Sequence, residues 1–350
     1  MRSSASPTPD AAPDAAPDLG DDTVTDADLA ARIAAELPHA LTSAAFDDLP
    51  PPVRGKVRDA YDLPGERRLL VATDRQSAFD QVLAAVPFKG QVLTATARFW
   101  FEACADVAPH HVLAVPDPNV MLVQRLAMLP VEVVVRDYLT GTTATSIWPR
   151  YAAGERRMYG LKLPEGLRKN ERLPETILTP TTKGEAGLHD EALAPAEIIA
   201  RGLMTATEWE EVSAMALALF ARGRDLAARR GLILVDTKYE FGRDAEGRLI
   251  VADEIHTPDS SRYWRAATYA ERFARGEEPE TLDKDFLRRW IVARCDPYRE
   301  PIPPIPSETL VAFALRYIEL FETVTGDVFV PPPADPPVRE RVHRCLKAFF

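Results

Sequence analysis

Asp236, Lys238 and Glu240 stand two residues apart in GLILVDTKYEFG, and Asp253 and Glu254 follow in GRLIVADEIHTPDSSRYW. Side chains at i, i+2 and i+4 of an extended strand share one face. Two acids and a lysine would therefore project together, while Thr237, Tyr239 and Phe241 face the other way. The apolar runs Leu232–Val235 and Leu249–Val251 read as buried strands, joined through turn chemistry at Asp244–Gly247. A turn centred near Ala245 and Glu246 puts Lys238 opposite Asp253; a one-residue slip puts Glu254 there instead. Carboxylates are the hard oxygen ligands of Mg2+, which takes one or two of them and completes its shell with phosphate oxygens. Lysine acts on phosphate as a point charge. Just beyond the acids, Ser260, Ser261 and Arg262 supply hydroxyls and a guanidinium, groups that grip a phosphate monoester. A solvated hairpin with cross-strand ion pairs would carry the same pattern, and the hairpin alone leaves both readings open.

Other segments end strands in similar chemistry. GKVRDAY sets Gly55 beside Lys56 and Arg58, where bare backbone can approach a phosphate, but without P-loop spacing. ATDRQSAFD closes an apolar run with Asp74, Arg75, Ser77 and Asp80. VVVRDYLTGTTATSIW carries a β-branched run into Arg136 and then Thr142, an anion cradle at a strand end. TPTTKGEAGLHDE holds Lys183, Glu185, His189 and Asp190 in a long polar loop, either functional or simply exposed. His189 as a ligand or base is one alternative; an ordinary loop histidine is the other. Neither a Ser-His-Asp order nor HExxH occurs.

The elements that position these groups follow from periodicity. Residues 1–25 are rich in Ala, Pro and Asp and read as a disordered tail. A short helix is expected over 26–37, then short strands from Val53, a helix over VLTATARFWFEACADV, and further strands to PVEVVVRDYL. Residues from about 152 to 190 read as loop-rich, 195–230 as mostly helical with Gly231 at the C-terminal cap, and the last 70 as helical with proline interruptions. The class expected is α+β, with a sheet-rich lobe over 26–128, a central lobe over 129–270 and a helical portion over 271–350.

The 350 residues are 46% apolar, enough for a sizeable core. A net charge of −11 argues against nucleic acid or an anionic membrane as a partner. Cys104, Cys295 and Cys345 have neither disulfide-framework nor zinc spacing, which points to the cytoplasm. No apolar run of spanning length and no secretory h-region occurs.

GKVRDAYDL, TDRQSAFD, LPVEVVVRDYLTGT, TPTTKGEAGLHDE, LILVDTKYEFG, ADEIHTPDSSRYW and LDKDFLRRWI occur in this order. Together they resemble the SAICAR synthetase family, from about Gly55 to the C-terminus. The resemblance implies two sheet-containing lobes around an ATP cleft, a helical C-terminal portion, and an ATP- and Mg2+-dependent ligase. Such a ligase joins the carboxylate of the imidazole nucleotide CAIR to the amine of L-aspartate. It implies Gly55, Lys56, Met128, Lys238 and Glu240 at ATP; Lys238, Asp236, Glu240 and Asp253 as the catalytic set, with Glu240 and Asp253 at the metal. It further implies Arg136, Thr142, Ser260, Ser261, Arg262 and Ser77 at CAIR, with Asp80 shaping that pocket, and Lys183 and Asp190 at CAIR or aspartate. Thr142 stands where serine is the commoner form, Asp137 where glycine is common, and Gln124–Arg125 where a basic pair is frequent. A small-molecule kinase, or a nucleotide-binding protein without turnover, would share part of this pattern.

Overall fold

The computed structural model describes residues 25–79, 81–142, 146–183 and 191–350. Helix α1 (Asp26–Glu36) starts at a reciprocal cap: the Thr25 hydroxyl accepts from the Asp28 amide, and the Asp28 carboxylate accepts from the Thr25 amide. The front sheet has the spatial order β1 (Val53–Arg54), β2 (Arg58–Leu63), β3 (Arg67–Ala72), β7 (Val120–Gln124), β6 (Val112–Asp117), antiparallel throughout. The hairpin of β4 (Arg75–Ala78) and β5 (Gln81–Ala85) leads into α2 (Lys89–Ala103).

The central sheet runs β12 (Glu171–Thr182), β9 (Val131–Leu139), β13 (Leu232–Arg243), β14 (Leu249–Ala252). Strands β8 (Ala127–Met128) and β15 (Ser261–Arg265) also pair with β13, at Gly242–Arg243 and Leu232–Thr237 respectively. Between β9 and β12 lie α3 (Ile147–Ala152), β10 (Arg157–Met158) and β11 (Leu161–Lys162). Helices α4 (Pro195–Ala200) and α5 (Ala206–Arg229) precede β13; α6 (Ala266–Arg275), α7 (Asp285–Val292), α8 (Ser307–Thr325) and α9 (Val338–Lys347) follow β15. This is the α+β class expected from the sequence. Gly231, at φ +72°, sits just past the end of α5 as anticipated.

Two expectations need correction. The stretch read as loop-rich contains the twelve-residue strand β12. Pro174 and Pro180 hid it. Proline cannot donate to a ladder and so belongs to edge strands and bulges. β12 is an edge strand, and its pairing with β9 shifts register between Arg172 and Ile177, around Pro174. The second concerns the hairpin. Glu240 pairs with Ala252 and Arg243 with Leu249, so the turn centres on Glu246. That is the one-residue slip. β14 then ends at Ala252, and Asp253, at φ +59°, turns out of the ladder.

One face of the central sheet packs on α5. Val131, Val133 and Val135 of β9, with Leu232, Leu234, Tyr239 and Phe241 of β13, meet Trp209, Val212, Ala216 and Leu219. The parity along β13 changes between Leu234 and Tyr239 because of a bulge. Leu234 pairs with Tyr263 and Asp236 with Arg262, so Val235 is the extra residue. Even-numbered side chains point into the core before the bulge, and Asp236, Lys238 and Glu240 point into a cleft after it.

Candidate active site

A cleft of about 1080 Å3 opens between the loop at Gly55–Arg58, the charged face of the central sheet and the start of α7. At one end, three strands in register present arginine, aspartate and arginine. Arg136 on β9 and Arg262 on β15 are the cross-strand neighbours of Asp236. Both donate to the same Asp236 oxygen, Oδ2, at 2.7 and 2.5 Å. Arg136 Nε also donates to Thr179 Oγ1 at 2.8 Å. One carboxylate thus fixes two guanidiniums. Arg262 also has Asp285 nearby, at 3.7 Å. A tight turn floors this end: the Ser260 amide donates to Thr257 Oγ1, and Ser261 Oγ donates to Thr237 Oγ1 at 2.7 Å.

The other end holds mixed charge. Lys238 Nζ donates to Glu132 Oε1 at 2.9 Å and to Glu240 Oε1 at 2.5 Å; Lys183 Nζ reaches Glu240 Oε2 at 2.5 Å. Arg58, from the front sheet, donates to Asp253 Oδ1 at 3.1 Å and Glu254 Oε2 at 2.7 Å. Burial pulls the Lys238 ammonium down, but Glu240, Glu132 and Asp253 outweigh it and hold its pKa well above the ordinary lysine value. Burial pushes the Glu240 carboxyl up, yet Lys238 and Lys183 bring it well below the usual range. Asp253 goes the other way. Burial, with Glu240 and Glu254 beside it, raises it to about 6 despite Arg58. Glu132, Glu240, Asp253 and Glu254 thus interlace with Lys183, Lys238 and Arg58, each cation bridged to at least one carboxylate.

Gly55, Lys56, Ser77, Arg136, Lys183, Asp236, Lys238, Glu240, Asp253, Ser260, Ser261 and Arg262 all line this cleft. Met128 does not: it sits on β8 against Gly242, 38% exposed. Thr142 follows Gly141, where an added Cβ would collide with Ser146 and stand 3.1 Å from Arg262 Nη2, and the Thr142 hydroxyl is buried with no hydrogen-bond partner among the described residues. Asp80, Glu185, His189 and Asp190 lie outside the described residues.

Several lining residues carry no assignment from the sequence. Glu132 shares a face with Arg136, a period-two signal that was readable in VEVVVR. Arg58 finds its acids 195 and 196 residues away, and no local pattern announces that. Asp259 is held by Lys89 at 2.9 Å and by the Tyr317 hydroxyl at 2.7 Å. Lys284 precedes α7, and burial with Arg288 nearby lowers its ammonium to about 8.

No cluster of three or more metal-ligating His, Cys, Asp or Glu side chains occurs among the described residues. The same residues include no helix long and apolar enough to cross a membrane. The three cysteines are free thiols.

A family model described as SAICAR synthetase matches residues 52–305. The chain is 53% identical over 290 residues to the phosphoribosylaminoimidazole-succinocarboxamide synthase of Legionella pneumophila (strain Paris), covering 83% of this chain and 92% of that one. Among solved structures, the SAICAR synthase of Saccharomyces cerevisiae complexed with SAICAR superposes with a TM-score of 0.71 at 32% identity, over 83% of this chain and all of that one. A type-2 SAICAR synthetase in complex with ADP gives 0.62 at 25% identity, over 80% of this chain and all of that one. Matched in sequence over most of its length and in fold to enzymes of one kind, the chain belongs to the SAICAR synthetase family, the ATP-dependent ligases of purine biosynthesis.

Proposed function

We propose that the two ends of the cleft divide the condensation of CAIR with L-aspartate, which yields SAICAR, ADP and phosphate. The observation that carries this reading is the polarity of one strand face. Asp236 and Glu240 are four residues apart on β13, so their positions are separated by about 13 Å. The Arg136–Asp236–Arg262 set suits the 5′-phosphate of CAIR, because both guanidiniums keep further donors beyond the one shared carboxylate. Ser77, Ser260, Ser261 and Thr142 would add hydroxyls there. The acidic end suits Mg2+ with the ATP phosphates, since Glu240 and Asp253 supply the one or two carboxylates that Mg2+ takes from protein. Bound there, Mg2+ would shield the phosphate charge. Gly55 and Lys56 would contact the phosphates from above, and Met128 would lie towards the adenine.

A carboxylate is a poor electrophile. Phosphoryl transfer from ATP turns the CAIR carboxylate into an acyl phosphate; the aspartate amine then attacks the acyl carbon and phosphate leaves. Lys238 would neutralise charge as it develops on the transferring group, a pre-set electrostatic contribution rather than a covalent one. Glu132 and Glu240 would keep that ammonium protonated and aimed. Lys183, with Asp190, would receive CAIR or aspartate. Free thiols fit a cytoplasmic protein.

The test is ADP release with ATP, Mg2+ and CAIR, with and without L-aspartate. Aspartate-dependent ADP together with a product of SAICAR mass is expected. ADP formed without aspartate would point to kinase-like or uncoupled chemistry, and ATP binding without ADP release would overturn the proposed turnover.

A further inference from the structure

We propose that Arg75 is a positioning residue for the phosphate-facing loop, setting nucleotide affinity without touching the nucleotide. The inference rests on the reading of Lys56 as a phosphate contact. Arg75 is 2% exposed and lies under the loop rather than in the cleft. Its Nε donates to Lys56 O at 3.2 Å, and its two terminal nitrogens reach Gly55 O at 2.9 Å, Thr42 O at 2.8 Å and Asp59 at 2.7 and 3.4 Å. A guanidinium has five N–H donors, and here each has a protein acceptor.

Two of those acceptors are consecutive carbonyls of the loop. In a trans peptide the carbonyl and the following amide point in opposite directions. Drawing Gly55 O and Lys56 O towards Arg75 therefore turns the Lys56 and Val57 amides away from it. Gly55, Lys56, Val57 and Arg58 line the cleft. Successive amides turned outward in this way form a concavity suited to an anion. Gly55 closes the turn: its amide donates to Arg58 O at 2.7 Å, and a Cβ there would stand 2.8 Å from that oxygen.

The brace continues outward. Asp59 also accepts from the Ala44 amide at 2.8 Å, and Arg339 of α9 donates to Ser43 O and Ala45 O, both at 2.7 Å. The C-terminal helix thereby buttresses the segment that Arg75 grips. No ligand role is needed to account for a buried, fully bonded arginine two residues before Ser77. Its five bonds converge on the loop and on the loop's support.

The test compares R75K and K56A with wild type, reading the Kd for ADP, the KM values for ATP and CAIR, kcat, and Tm. Lysine keeps the charge opposite Asp59 but cannot span both loop carbonyls and Thr42. R75K is expected to raise the Kd for ADP and the KM for ATP by roughly tenfold, the scale of one or two lost hydrogen bonds. The KM for CAIR should move less than about twofold. The double variant D59N/R75Q removes both buried charges together, leaving neither unpaired, and should give the same split if R75K is too unstable to purify. If ADP affinity stays at the wild-type value in a folded variant, or if every KM shifts together with Tm, the positioning role is wrong. K56A separates that outcome from a failure of the underlying reading. Weaker ADP binding in K56A with unchanged binding in R75K sinks the brace alone; unchanged ADP binding in K56A sinks the reading of the Lys56 side chain as a phosphate contact, on which the inference rests.

Discussion

The two ends of the charged face of β13 handle buried charge in opposite ways. At Asp236 a single carboxylate holds two arginines, one from each flanking strand. At Glu240 and Asp253, several carboxylates crowd together among cations, and Asp253 is pushed up to about 6, chiefly by burial and also by the acids beside it. Under the proposed division of the cleft, the difference would let an acidic chain, with a net charge of −11, hold anionic substrates. On the proposed reading, its paired arginines would receive the anionic substrate, and the acids at the other end would take the divalent cation that accompanies ATP. A bulge at Val235 makes this possible by moving the even-numbered side chains of β13 from core to cleft.

The largest effect that would break this contrast is expected from Lys238. K238A should lower kcat by roughly 10²- to 10³-fold, the loss typical of one pre-set electrostatic group. Steady-state ADP release checks it, and near-wild-type turnover would remove Lys238 from the chemistry. At the opposite end, R262A should raise the KM for CAIR by about ten- to a hundredfold, since charge-assisted hydrogen bonds are the stronger kind. Arg136 still pairs with Asp236 in that variant, so Tm should change little, and the KM for ATP should hold.

Stability against pH sharpens the comparison further. His111 lies behind the acidic end, against the Asp253 backbone; burial holds its pKa down to about 3. The neutral ring is therefore the folded form. Its contribution is fully present above the unfolded value near 6.5 and is lost as pH falls towards 3. At pH 5 the loss is about 2 kcal/mol. His256, also buried and lowered to about 3, acts in the same sense. Denaturant titrations should show wild type losing stability more steeply than H111Q between pH 7 and 5; parallel curves would contradict the assignment. The smallest effect is expected from M128A. Met128 is 38% exposed and off the cleft lining, so the KM for ATP should rise by no more than roughly fourfold, about one methylene's worth of contact.

What the sequence disclosed depended on whether the signal was local. The charged face of β13 was legible because alternation is a property of neighbouring residues, and Arg136 and Arg262 were legible as strand-end cations. The partners of Arg58 were not, because its acids come from almost 200 residues away. Strand β12 was hidden by prolines that only an edge position tolerates. The hairpin register was off by one because the turn centres on Glu246, and the positive φ of Asp253 lies beyond any pattern of residue types. Arg75 stood out as a polar residue in TDRQSAFD, but its use as a brace appears only once Gly55, Thr42 and Asp59 surround it.

The most direct test of the cleft's polarity is calorimetric titration of CAIR and of Mg2+–ADP into wild type, R262A and D253N. R262A is predicted to lose affinity for CAIR and keep Mg2+–ADP, and D253N to do the reverse. If each folded variant loses both ligands equally, or loses the opposite one, the two ends of β13 do not divide the substrates.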